Sequence, residues 1–137
     1  MAINVLNDKR HDRIMHLLAR QAQDNAPDGT SKHAAAVVFK NDIISIGWNE
    51  FKSHPFQVKF SKEPEKYYLH AEVSAIRKSL NHITPIQLQK STLYVARVMK
   101  NNDWGPSCPC DGCKMAIAAF DIKKVIYTNS TSSYSSL

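Results

Sequence analysis

Long hydrophobic runs are absent from this sequence of 137 residues. The longest apolar stretch, from Ala34 to Phe39, is far shorter than the roughly 18 residues that a membrane-spanning helix needs. The N-terminus has charged residues where a signal peptide would be apolar: Asp8, Lys9, Arg10, Asp12 and Arg13. We therefore expect a cytoplasmic protein with no membrane partner.

Cysteine and glycine are also scarce. The three cysteines are Cys108, Cys110 and Cys113, and such an odd, clustered set is more typical of metal binding than of a disulfide framework. The 4 Gly and 6 Pro, with 43% hydrophobic residues, are ordinary for a compact globular chain. We expect residues 1–137 to form a single domain whose core needs no disulfide.

Acidic residues are outnumbered by basic ones. The chain has 18 Lys and Arg against 12 Asp and Glu, a net charge of +6. This excess favours an anionic partner such as a nucleotide, RNA, DNA or an acidic surface. Charge alone does not select among these partners.

Hydrophobic periodicity and turn residues predict alternating helices and strands. The expected helices cover residues 8–24, 70–81 and 109–120, and the expected strands cover 34–39, 43–48, 92–98 and 123–128. The order strand, helix, strand at the end predicts a right-handed crossover between parallel neighbours. Residues 49–67 are expected to form a long loop, and the Ser/Thr-rich residues 129–137 a mobile tail.

Two short motifs point to a metal centre. Cys110 and Cys113 lie three apart at a predicted helix start, where two thiolates can share one metal ion. His70 opens another predicted helix and would complete a set of three ligands for one Zn²⁺ per chain, leaving the fourth position for water. Glu72 leaves the helix in a different direction from His70, so its carboxylate is free for general acid–base work.

Two alternatives need no catalysis. Cys108 could be a fourth ligand and close the site into a structural zinc centre, or the chain could be a zinc-stabilised binding module. Neither has a use for Glu72, which favours an enzyme.

The segments His70-Ala71-Glu72 and Pro109-Cys110-Asp111-Gly112-Cys113 resemble the signature of the zinc-dependent cytidine and deoxycytidylate deaminase superfamily, over roughly residues 8–128. The chain looks most like compact deoxycytidylate deaminase-like proteins of phages and bacteria. The resemblance implies an α/β fold, a three-layer α/β/α sandwich with a mixed sheet of four to five strands. It also implies that a zinc-activated hydroxide attacks C4 of cytosine while Glu72 shuttles protons and ammonia leaves. The family's usual fifth strand is not evident after Thr128.

The resemblance further implies a substrate pocket. The Ala71 N–H would hold the pyrimidine carbonyl, Asn49 would bind the sugar or base, and the backbone carbonyls of Ser107 and Cys108 would accept from the leaving amine. Next to these residues, His33, Lys52 and His54 are predicted to line the pocket.

The leading hypothesis is deamination of a cytosine nucleotide, deoxycytidylate (dCMP) above all, by a homo-oligomer. The alternatives are a nucleic-acid deaminase, acting on RNA adenosine or single-strand cytosine, and a deaminase of another nucleoside or base such as guanine. The sequence has no clustered basic stripe with interleaved aromatics, which makes nucleic acid the less favoured partner.

Overall fold

The computed structural model describes residues 9–52, 54–60, 69–130 and 133–137. Within these ranges the helices are α1 (Lys9–Asn25), α2 (Pro55–Phe60), α3 (Ala71–Ser79), α4 (Pro85–Gln89) and α5 (Asp111–Ala119). The strands are β1 (Lys32–Phe39), β2 (Asp42–Trp48), β3 (Thr92–Val98), β4 (Trp104–Gly105), β5 (Lys124–Ser130) and β6 (Ser133–Ser136). Every predicted helix and strand is present within a few residues of its predicted ends, and β3 has the predicted bounds.

The strands form one mixed sheet in the order β2-β1-β3-β5-β6, with β4 paired to β3. β1 runs antiparallel to both β2 and β3, whereas β3 and β5 are parallel neighbours. The connection between β3 and β5 passes through α5, which confirms the predicted helix-containing connection between parallel neighbours. The carboxyl ends of β3 and β5 therefore lie at one end of the sheet, where α5 begins.

Side chains of β1 alternate between the two faces of the sheet. Ala35 and Val37 belong to the core that includes residues of α3 and α5, while Ala34 and Ala36 belong to the core that includes residues of α1. Helices thus cover both faces, which confirms the predicted three-layer sandwich. In the described part of the chain, no helix is both long and apolar enough to cross a membrane.

The prediction of a mobile tail was wrong for residues 129–130 and 133–137, the described part of that range, and the predicted number of four to five strands was too low. β5 extends to Ser130, and β6 pairs with it antiparallel, which makes a sheet of six strands among the described residues. Tyr134 is 1% exposed and stacks on Trp104, with the ring centroids 6.0 Å apart. Backbone pairing and one buried aromatic ring hold this segment, although its Ser-rich composition is typical of a loop.

The predicted loop over residues 49–67 contains α2, which packs against the α5 side of the molecule. Phe56 and Phe60 of α2 lie 5.7 and 6.5 Å from the ring of Phe120. A helix of six residues is too short for its periodicity to stand out from the sequence. Ser53 and residues 61–67 of the same stretch lie outside the described residues.

β2 and α3 approach each other at Gly47. A Cβ added there would lie 2.5 Å from the Ala75 nitrogen and 2.7 Å from the Ala71 oxygen. Both atoms belong to the backbone of α3, so they cannot move aside as a flexible side chain can. The Ser45 hydroxyl donates to the Ala75 carbonyl at 2.7 Å and fastens the same strand to the same helix.

We expect Gly47→Ala to lower the free energy of unfolding by about 1 to 3 kcal/mol, because overpacking forces β2 and α3 apart. Urea unfolding of the wild type and the variant measures this loss. Gly105→Ala is the matched control, since its new Cβ would meet flexible side chains and no backbone: Met99 at 2.8 Å and Arg97 at 3.3 Å. Equal losses in the two variants would contradict the close contact between β2 and α3.

Candidate active site

Three side chains from two helix starts come together at the carboxyl ends of β3 and β5. His70 and Cys110 are the residues immediately before α3 and α5, and Cys113 lies in the first turn of α5. Their ligand atoms all lie within 4.8 Å of one another. The His70 Nδ1 is 3.5 Å from the Cys110 Sγ and 3.3 Å from the Cys113 Sγ.

These distances fit a tetrahedral zinc site. Zn–S bonds of about 2.3 Å and Zn–N bonds of about 2.0 to 2.1 Å place a sulfur and a nitrogen ligand about 3.5 Å apart at the tetrahedral angle. The three residues could therefore hold one zinc ion, with a coordination position left over. Cys108 is exposed and does not belong to this group, so the described residues do not form the closed four-ligand alternative.

The neighbouring thiols of Cys110 and Cys113 have pKa values shifted in opposite directions. The hydrogen bond from Cys113, assisted by His70, lowers the pKa of Cys110 to about 3. The pKa of Cys113 is raised well above its ordinary value by the same hydrogen bond, by burial and by the charge of Glu72. Cys110 is thus a thiolate at neutral pH, and the start of α5 further favours that anion.

Glu72 lies beside the three ligands. It is 5% exposed, lines the same cavity as His70 and Cys110, and is close enough to Cys113 to raise the pKa of that thiol. Burial of a carboxylate lowers the stability of the folded chain unless the charge is paired. The position of the buried Glu72 next to three possible metal ligands therefore indicates a functional role.

A cavity of about 330 Å³ opens over this cluster. The predicted site residues that line it are His33, Asn49, His70, Ala71, Glu72, Cys108 and Cys110. Neither Lys nor Arg lines it among the described residues, and Glu50 adds a second carboxylate. Among the described lining residues, the acidic side chains are Glu50 and Glu72, and the basic ones are His33 and His70.

The side chain and the backbone of Asn49 both form hydrogen bonds with the start of β1. Its Oδ1 accepts from the His33 backbone N–H at 2.8 Å, and its own N–H donates to the His33 carbonyl at 3.4 Å. Among the described residues, no acceptor bonds to the Nδ2 amide group of Asn49, which leaves its two donor hydrogens for a ligand in the cavity.

Ser107 is a scaffold residue as far as its side chain is concerned. Its hydroxyl lies 2.9 Å from the Thr128 hydroxyl and donates to the Val95 carbonyl at 3.0 Å, so it ties the segment before α5 to β3 and β5. Its neighbour Cys108 reaches the cavity. The predicted contact of these two residues with substrate depends on their backbone carbonyls.

Lys52 and His54 do not belong to the described lining of the cavity. Lys52 is exposed, and its carbonyl accepts from the Leu69 N–H at 2.9 Å. The His54 Nδ1 accepts from the Phe56 N–H at 3.0 Å, and its carbonyl accepts from Gln57 and Val58, so it caps α2. Their contacts with substrate stay predictions.

Sequence reasoning missed Gln57. This α2 side chain is 0% exposed, and its Oε1 accepts from the His70 backbone N–H at 3.1 Å, which positions the residue that starts α3. A glutamine inside an apparent loop gives no signal of that kind. Glu50, which lines the cavity next to Asn49, was missed for the same reason.

Comparison with known proteins agrees with this geometry. The family model for the cytidine and deoxycytidylate deaminase zinc-binding region matches residues 8–129, which is nearly the whole chain. The chain belongs to the cytidine and deoxycytidylate deaminase family. No curated protein matches the sequence.

Three solved structures illustrate the similarity of this fold to those of known deaminases. The dCMP deaminase of cyanophage S-TIM5, in complex with dCMP and dUMP, is 25% identical, with a TM-score of 0.64 over 90% of this chain and 84% of its own. Cytidine deaminase from Burkholderia pseudomallei is 19% identical, with a TM-score of 0.59 over 85% and 84% of the two chains. Guanine deaminase from Bacillus subtilis is 23% identical, with a TM-score of 0.52 over 90% of this chain and 65% of its own.

Proposed function

We propose that this deaminase hydrolyses the amino group of a cytosine nucleotide, with dCMP as the preferred substrate and dUMP and ammonia as products. The observation that carries the proposal is the cavity in which Glu72 lies beside His70, Cys110 and Cys113. The 25% identity to a phage dCMP deaminase supports the choice of nucleotide.

A zinc ion held by the three ligands would supply a nucleophilic water at neutral pH. Glu72 acts as the general acid–base: it takes one proton of the water and delivers it to N3 of the ring, and it then transfers the second proton, that of the new C4 hydroxyl, to the departing amine. The water oxygen forms a bond to C4, the bond from C4 to the amino nitrogen breaks, and ammonia leaves. The cytosine ring and one water thus become a uracil ring and one ammonia.

The substrate is oriented by backbone and amide groups around the cavity. Ala71 is the first residue of α3, so its N–H has no acceptor inside the helix and donates to the pyrimidine carbonyl. The free Nδ2 of Asn49 binds a sugar hydroxyl, with His33 behind it. The backbone carbonyls of Ser107 and Cys108 accept from the amino group as it leaves.

Lys52 supplies the positive charge for a 5′-phosphate. It follows Phe51 and bonds through its carbonyl to Leu69, and both of these residues line the cavity, so Lys52 is held at its rim. Because the described lining has no Lys or Arg, one cation at the rim would make the enzyme prefer a nucleotide over a nucleoside.

We further expect the protein to form a homo-oligomer in solution. Light scattering measures its oligomeric state.

We expect Lys52→Ala to lower kcat/KM for dCMP about 10- to 100-fold and to leave deoxycytidine nearly unchanged, because a charge-assisted contact to phosphate contributes about 1.5 to 3 kcal/mol. Lys59→Ala is the matched control, an exposed lysine on the neighbouring α2. Equal, small losses on both substrates would show that Lys52 is merely solvated.

Ammonia release from a panel of substrates tests the proposed function itself. The panel contains cytosine, cytidine, deoxycytidine, the monophosphates of these two nucleosides, guanine and a short single-stranded oligonucleotide. The highest kcat/KM is expected for dCMP. A higher value for guanine, a free nucleoside or the single strand would overturn the choice of substrate and leave the zinc deaminase assignment intact.

A further inference from the structure

Helix α2 contacts both of the helices that carry the possible metal ligands. Its Phe56 and Phe60 pack on Phe120, the residue immediately after α5. Its Gln57 reaches the start of α3, where the Gln57 Oε1 accepts from the His70 backbone N–H at 3.1 Å. A helix of six residues thus links the end of α5 with the start of α3.

His70 occupies the N-cap position of α3 without acting as a cap. An N-cap side chain usually accepts a hydrogen bond from a backbone N–H in the first turn of its helix. Within the described part of the chain, the His70 side chain forms no such bond, because its Nδ1 lies 3.5 and 3.3 Å from the Sγ atoms of Cys110 and Cys113. The side chain that would normally fix the helix start is thus turned toward the metal site.

The backbone at this helix start is held from outside α3 instead. Gln57 accepts from the His70 N–H, which is one of the N–H groups that have no acceptor inside their own helix. The preceding residue, Leu69, accepts from the Glu50 N–H at 2.9 Å and donates its own N–H to the Lys52 carbonyl at 2.9 Å. The segment that ends in α2 therefore fixes the backbone of the metal ligand and of the residue before it.

Gln57 is a polar side chain in apolar surroundings. It is completely buried, while Phe60 belongs to the core on the α3 and α5 side and Phe56 packs against that core. Burial of an amide lowers the stability of the fold unless its polar atoms are paired. Without Gln57, the His70 N–H would lose this acceptor, and the backbone of His70 would move toward another acceptor or toward water.

Such a movement would act directly on the metal site. Zinc requires a nitrogen ligand about 2.0 to 2.1 Å away and sulfur ligands about 2.3 Å away in a tetrahedral arrangement. Nδ1 is the imidazole nitrogen nearer to the backbone, so a shift of the His70 backbone moves this atom with little compensation by the side chain. Groups that orient a metal ligand from outside the ligand set typically change metal affinity by about 10- to 100-fold.

We propose that Gln57 is a positioning residue of the metal site. Through the His70 N–H it holds the imidazole toward the thiols of Cys110 and Cys113, and it thereby sets the affinity of the chain for zinc. The proposal rests on the three-ligand site of the proposed function and not on the choice of substrate, so it is tested without substrate.

Zinc affinity of the full chain, measured by competition with a chromogenic chelator, tests the proposal. Gln57→Met keeps the length of the side chain and removes the acceptor, and we expect it to bind zinc roughly 10-fold or more weakly than the wild type. Ser45→Ala is the matched control, because it removes another buried hydrogen bond to α3, from the Ser45 hydroxyl to the Ala75 carbonyl, and should bind zinc like the wild type. Unchanged affinity in Gln57→Met, or equal weakening in both variants, would overturn the proposal alone, whereas a wild type that binds no zinc would overturn the metal site as well.

Two further measurements separate positioning from folding. The visible absorption of Co²⁺ bound in place of zinc reports the arrangement of its thiolate and imidazole ligands, and we expect it to change in Gln57→Met and to stay unchanged in Ser45→Ala. The same spectrum in Gln57→Met as in the wild type would contradict the positioning role. If Gln57→Met does not fold, amide hydrogen exchange of the zinc-loaded wild type still decides: the His70 N–H should exchange slowly, and rapid exchange would overturn the proposal.

Discussion

Glu72→Ala is expected to keep its zinc and its fold and to lose activity by several powers of ten. General acid–base transfer by a positioned group contributes about 10²- to 10⁴-fold, and the proposed mechanism uses this one carboxylate for more than one transfer. The side chain is 5% exposed and lies beside Cys113 without belonging to the three-ligand group. Its removal therefore takes away the proton carrier and leaves the metal site in place.

Steady-state ammonia release, zinc content and the unfolding midpoint should be measured on the same preparation. Glu72→Gln keeps the size of the side chain and should be as inactive as the alanine variant, because an amide cannot carry the proton. Glu50→Gln is the control for a second carboxylate in the cavity and should lose far less activity. Retained activity in Glu72→Gln would refute the mechanism, and loss of zinc would make the carboxylate a ligand.

Cys110→Ser is expected to lose zinc, activity and much of the stability of the folded chain. Cys110 is the thiolate of the pair, with a pKa of about 3, and it stands at the start of α5 with its Sγ 3.5 Å from the His70 Nδ1. A serine hydroxyl at the same place is neutral at physiological pH and is a poor zinc ligand. Without the metal, the starts of α3 and α5 lose the link between them.

Zinc content by elemental analysis and thermal unfolding measure this effect. Cys108→Ser is the matched control, since it changes the same atom in an exposed residue two positions away and should keep its zinc. Zinc bound to Cys110→Ser as in the wild type would contradict the ligand assignment. Equal loss in Cys108→Ser would instead favour the closed, four-ligand site.

The cluster that could hold a metal ion, His70, Cys110 and Cys113, could be predicted from the sequence because local chemistry favours these residues. Two cysteines three apart lie on one side of a first helical turn, and a histidine followed two residues later by a glutamate separates a ligand from a free carboxylate. The surrounding strands were predicted for a similar reason: β3 is rich in β-branched and aromatic residues and forms over the predicted range.

Other elements depend on partners far away in the sequence. β6 is a strand because the backbone of β5 pairs with it and Tyr134 packs on Trp104, not because of its own Ser-rich composition. Gln57 acquires its role only when α2 is placed against the start of α3. Propensity describes a segment alone, so it cannot detect such contacts.

The sequence by itself determined the class of this protein: an α/β fold with a zinc deaminase signature and an excess of positive charge. The tertiary structure alone decided where that charge lies. Arg10, Lys40, Lys90 and Lys124 are far apart along the chain, and only the antiparallel and parallel pairings of β1, β3 and β5 bring their segments around one cavity. The spacing of Cys110 and Cys113 along the chain places both thiols within one helical turn, so the sequence alone reveals them. A cluster of cations from several strands forms only through the order of the strands in the sheet.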